Sequence, residues 1–101
     1  MKNFKDLIFE DKQFGGVGAH FIFDNGVEIS VQAGEFPYCS PRVKGLHYNE
    51  YTSFEVALFF EDGEFATKVI LGKGFDEDDV VGWASPEHID EIMEKAQTYK
   101  K

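Results

Sequence analysis

Apolar and polar residues alternate from Ala19 to Val31 and again from Phe54 to Leu71, and a turn sequence interrupts each run once. The interruptions are Asp24-Asn25-Gly26 and Asp62-Gly63. A period of two marks strands with one buried face, so each run reads as a β-hairpin. In the first, a two-residue turn at Asn25-Gly26 would oppose Phe23 to Glu28 and Phe21 to Ser30, mixing apolar and polar on each face. A three-residue loop instead opposes Phe23 to Val27, Phe21 to Ile29 and Ala19 to Val31. Glu28, Ser30 and Gln32 then share the other face, and Gly26 takes the left-handed position of a bulged loop. The phase selects the three-residue loop.

In the second run, a two-residue turn at Asp62-Gly63 opposes Phe60 to Phe65, Leu58 to Thr67, Val56 to Val69 and Phe54 to Leu71. The far face of that hairpin carries Glu55, Ala57, Phe59, Ala66, Lys68 and Ile70. It is greasier than a solvent face requires, which makes Phe59 beside Ile70 a candidate contact surface.

A different period governs the end of the chain. Ile89, Ile92, Met93, Ala96 and Tyr99 recur at helical spacing, predicting a helix over 86–99 with one apolar stripe. Ser85 supplies its N-cap, Pro86 its first position, and Ala84 staples onto Ile89. Residues 1–17 form an irregular lead-in. Phe4, Leu7 and Ile8 fit helical spacing, while Asp6 to Asp11 fit a short edge strand. Residues 34–51 hold Gly34, Pro37, Pro41 and Gly45, which exclude a long helix or central strand. The aromatics of this long loop either cap the core or form a recognition surface.

The expected architecture is a single α+β domain over 1–101. It has a four-stranded, mostly antiparallel sheet of two hairpins, with the C-terminal helix on one face. Val69, Leu71 and Trp83 are expected in the core with the strand and helix residues.

Composition fits a packed globule: 43% of residues are hydrophobic and eleven are Phe. Nineteen acids against ten bases give a net charge of −9, of which residues 61–101 hold −6 (eleven acids, five bases). Such a chain is repelled by nucleic acid and by anionic membranes, and is suited to a partner with a basic surface. Asp76, Glu77, Asp78 and Asp79, with Asp90, Glu91 and Glu94 on the helix, are the candidate partner-binding acids. Phe59 and Ile70 are the alternative contact.

Chemistry is sparse. His20, His47, His88 and Cys39 lack the close-spaced pairs of a zinc site. The run Asp76 to Asp79 lacks the ligand spacing and central glycine of a calcium loop. Gly15, Gly16 and Gly18 are not followed by the Lys-Ser or Lys-Thr of a phosphate loop. Cys39 sits outside any nucleophile elbow and has no second cysteine to pair with. No cofactor, metal or catalytic residue is expected. With no signal-like or membrane-length apolar run, the chain reads as cytoplasmic.

Three strings carry a resemblance. They are Phe21 to Val31 through Asp24-Asn25-Gly26, the strand Phe54-Glu55-Val56-Ala57-Leu58, and the ending Asp78-Asp79-Val80-Val81-Gly82-Trp83 before Ser85-Pro86-Glu87. Together with Phe4-Lys5-Asp6-Leu7-Ile8-Phe9 they resemble small accessory proteins of tailed bacteriophages and prophages. Relatives often have an aromatic-glycine pair where this chain has Val27-Glu28. The resemblance implies a phage origin and brings no catalytic residues. The expected function is a non-enzymatic accessory protein that binds a host protein in the host cytoplasm, for example inhibiting a defence or nucleic-acid enzyme. The alternative is a structural or housekeeping phage protein acting as a self-assembling dimer.

Overall fold

In the computed structural model, residues 1–12, 15–72 and 80–100 are described. The first hairpin follows the sequence phase. Strand β2 (Val17–Ile22) pairs antiparallel with β3 (Glu28–Ala33), with Phe21 opposite Ile29 and Ala19 opposite Val31. The Phe23 N–H donates to the Val27 carbonyl at 2.8 Å, closing a three-residue loop in which Gly26 has φ +87°. A Cβ at Gly26 would also displace the exposed Glu61 side chain, but it is the positive φ that calls for glycine.

Asn25 does more than turn the chain. Its Oδ1 accepts the Val27 N–H at 3.1 Å, while its Nδ2 donates to the carbonyls of Ala96 at 2.8 Å and Tyr99 at 3.0 Å. The loop thereby caps the end of the C-terminal helix, α2 (Pro86–Thr98). That helix begins as its sequence indicates: the Ser85 hydroxyl accepts the His88 N–H at 3.1 Å, and Ile89, Ile92, Met93 and Ala96 are buried.

Among the described residues the sheet has five strands, not four, antiparallel throughout and in chain order: β1 (Glu10–Asp11), β2, β3, β4 (Phe54–Phe59) and β5 (Val81–Ala84). One added strand is β1 (Glu10–Asp11), which pairs with Gly18 and Val17 at one edge. Ahead of it, Asn3 caps a 3-10 turn over Phe4–Asp6, and that segment is tied to α2. The Phe4 N–H donates to Asp90 Oδ1 at 2.8 Å, and Gln97 exchanges two hydrogen bonds with the Lys2 backbone. The lead-in is thus more ordered than its composition predicts.

The second hairpin departs furthest from expectation. β4 (Phe54–Phe59) leaves through a three-residue loop, Glu61-Asp62-Gly63, in which the Phe60 N–H donates to the Glu64 carbonyl at 2.9 Å. Phe59 then bridges Phe65, one position off the expected pairing of Phe60 with Phe65. The return strand ends there, because the Thr67 hydroxyl accepts the Leu58 N–H at 2.9 Å in place of a strand backbone. Residues Thr67–Leu71 turn into a one-turn helix, α1. Ala66 and Thr67 are buried and Ile70 packs on the core, whereas Val69 is 60% exposed. The run also satisfies helical spacing at Ala66/Ile70 and Thr67/Leu71, and that period prevails.

The vacated half of β4 is taken by β5 (Val81–Ala84). The core lies between the sheet and α2, which packs against β3, β4, β5 and the N-terminal turn. Phe4, Phe9 and Phe54 meet at ring distances of 5.3–5.7 Å, and Tyr48 stacks on Phe9 at 4.8 Å. Tyr51 is buried, with its hydroxyl donating to the Val43 carbonyl at 2.6 Å, and Cys39 is fully buried. One part of the 34–51 loop therefore does cap the core.

Candidate binding surfaces

The helix acids lie on the outward side of α2, where Glu87, Asp90, Glu91 and Glu94 are all exposed. Asp90 has a structural task as well, since its carboxylate holds the N-terminal turn through Phe4. The candidates Asp76, Glu77, Asp78 and Asp79 lie outside the described residues. The alternative pair is not brought together as expected. Phe59 sits on the sheet face away from α2, half-buried and 4.8 Å from the Phe65 ring, while Ile70 packs on the core from α1. Helix formation over Thr67–Leu71 moves Ile70 off the strand face that the alternation assigned it.

That outer sheet face is built by strict alternation on β2, β3 and β4. It carries His20 and Ile22 from β2, Glu28, Ser30 and Gln32 from β3, and Glu55, Ala57 and Phe59 from β4. His20 Nδ1 stands 3.2 Å from Glu28 Oε2. Ile22 is 66% exposed. A shallow groove of about 170 Å³ runs between Ser30, Gln32, Ala57, Phe59 and Phe65. A second, of about 280 Å³, continues past Gln32 and Glu55 to Glu35, Phe36 and Pro37, with Lys12 at its side. Gln32 and Glu55 belong to both.

At the edge of the sheet, β5 departs from alternation. Phe54 opposes Ala84 and Val56 opposes Val81, so Gly82 and Trp83 together stand opposite Glu55. This is a β-bulge, which re-aims the side chains around it. Regular alternation from buried Val81 would bury Trp83 and expose Ala84. The bulge instead buries Ala84 and leaves Trp83 55% exposed. Trp83 has φ +53°, the one positive φ at a non-glycine position among the described residues. Its ring stacks on Tyr38 at 5.3 Å, and its N–H donates to the Tyr38 carbonyl at 2.9 Å. The Arg42 guanidinium lies 5.5 Å from the centre of the Tyr38 ring and donates to the Phe36 carbonyl at 2.9 Å. Phe36 itself is 64% exposed.

The sequence reading placed Trp83 in the core and missed this stack. The available signal was the spacing of Val81 and Ala84: two small apolar residues three apart cannot both face inward from a regular strand.

Burial pushes the Cys39 thiol above its usual value, opposed by a hydrogen bond from the Gly34 backbone and by the charge of Arg42. A thiol held protonated and out of solvent is a poor nucleophile. No three His, Cys, Asp or Glu side chains come together as a metal-binding group among the described residues. No helix among them is long and apolar enough to cross a membrane. Compared with protein-family models, curated proteins and solved structures, the chain matches none.

Proposed function

We propose that this chain is a non-enzymatic accessory protein, of phage or prophage origin, that binds a host protein bearing a basic surface and alters its activity. The observation that carries the reading is the one-sided sheet. α2 covers one face, and the other presents Ile22, Phe59 and Phe65 beside Glu28 and Glu55. Exposed apolar residues gathered on a rigid sheet, rather than scattered, mark a contact surface. The charge of −9 selects the partner class, since it draws a basic surface and repels nucleic acid directly. A host enzyme whose own basic surface grips nucleic acid fits this chemistry, and the resemblance to phage proteins supports a partner in the host.

The test is affinity capture from host lysate, followed by reconstitution with the retained protein after purification. The reading predicts a stoichiometric complex whose association rate falls steeply with salt. It also predicts slower association when Glu87, Glu91 and Glu94 are changed together to Gln. A salt-independent rate, unchanged by those substitutions, would contradict the electrostatic part. Sedimentation of the chain alone decides the dimer reading: a monomer across the working concentration range excludes self-assembly through the outer face.

A further inference from the structure

We propose that Trp83 is the anchor of the contact, taking a cationic side chain, best an arginine, of the basic partner against its exposed ring. This rests on the binding reading above and adds the site and the group it recognises.

The first support is what the fold expends to expose this ring. A β-bulge turns Trp83 out, and its left-handed backbone is one that side chains other than glycine, asparagine and aspartate rarely adopt. Strain of this kind persists where the surroundings enforce it, and it gathers at binding sites. Here the enforcement is visible: Tyr38 accepts the Trp83 N–H, stacks on the indole, and packs its Cβ against Gly82, where an added Cβ would approach to 3.0 Å. Gly82 and Tyr38 hold the indole in place without covering it.

The second support is chemical. Exposed Trp, Tyr and Arg are the residue types that dominate contact energies. The stack already accepts a cation within the chain, because Arg42 lies over Tyr38. Indole binds a cation more strongly than phenol does, and the indole is the more exposed ring. The Glu55 carboxylate belongs to the strand position opposite the bulge, and Glu35 lines the adjoining groove with Phe36 and Pro37. A guanidinium on Trp83 would meet an aromatic face in the field of a chain of net charge −9.

Trp83 is the only tryptophan, so its emission reports the site directly. The probe is an acetylated Arg-Gly repeat peptide, with a neutral citrulline-Gly counterpart. The expected result is a saturable change in emission with the arginine peptide, and binding roughly tenfold weaker with citrulline. Calorimetry then compares Trp83→Gly, which removes the ring and relieves the backbone, with Trp83→Phe, which keeps a weaker ring. The expected order of affinity is wild type, then Phe, then Gly, with Gly roughly tenfold or more below wild type. The Gly variant should nonetheless keep the wild-type circular dichroism. Equal binding by wild type and Trp83→Gly overturns the anchor while leaving the acidic-surface reading intact. If only the Glu87, Glu91 and Glu94 substitutions weaken the peptide, the cation sits on α2 and the anchor is likewise overturned. Absence of peptide binding overturns the anchor too, and the host-protein reading then stands or falls on lysate capture and reconstitution.

Discussion

Asn25 shows how much one side chain can carry in a small fold. Its amide donates to two carbonyls at the end of α2 and its oxygen closes the β2–β3 loop. Helix ends leave carbonyls without intrahelical partners and carry partial negative charge. Asn25→Asp removes both donors and adds a repelled carboxylate, so it is expected to cost about 2 kcal/mol, more than Asn25→Ala; urea melts of the two check the order. The sequence alone suggests the opposite, that Asn25→Asp is nearly neutral, because both residues suit a turn. Thr67 is a second such residue. Thr67→Val keeps the shape but strands the buried Leu58 N–H, with an expected loss of about 1–3 kcal/mol in the same assay. Cys39 and Tyr51 give a pH prediction. Burial raises the Cys39 thiol above 9.0 and the Tyr51 hydroxyl above 10.0. Both groups bind their protons more tightly folded than unfolded. Stability is therefore whole below the unfolded values and declines as pH rises through them toward the folded ones. Urea melts should show the decline beginning near about pH 9, and Cys39→Ala should delay it to the tyrosine range.

At the scale of elements, agreement between independent signals helped but did not suffice. The first hairpin and α2 each had two: phase plus turn chemistry, and stripe plus cap. Both formed as read, the loop with Gly26 at φ +87° and the helix with Ser85 as its N-cap. The second hairpin had two signals as well, alternation and the Asp62-Gly63 turn, yet over 66–71 the same pattern also fits a helical turn. The choice went to Thr67, whose hydroxyl replaces a strand partner on β4. β5 was not legible because four residues are too short to establish a period, whereas β1 falls within the short edge strand that Asp6 to Asp11 offered as one alternative. The candidate site was legible only in part. Phe59 lies on the outer face as read, but Ile70 left it with α1 and Trp83 was brought out by a bulge. One comparison tests the two-sided assignment. Ile92→Asp, inside the α2–sheet interface, is expected to abolish cooperative unfolding. Ile22→Lys, on the outer face, should shift stability by no more than about 0.5 kcal/mol. A thermal melt of each is sufficient.

As a whole, the described residues form a meander of five strands with α2 on one side and an outer face bearing apolar residues, carboxylates and, at its edge, an outward-turned tryptophan stack. The core accounts for the first side, and recognition is our account of the second. The acidic exterior would hasten encounter with a basic partner, while the rigid sheet and the Trp83 ring would set the fit. The most direct test is NMR shift mapping of the isotope-labelled chain as the purified host partner is added. The account predicts that the largest changes fall on the Trp83 indole N–H and on the amides of β4, β5 and Phe65. Changes confined to α2 and the hairpin tips, with the Trp83 indole unmoved, would contradict it.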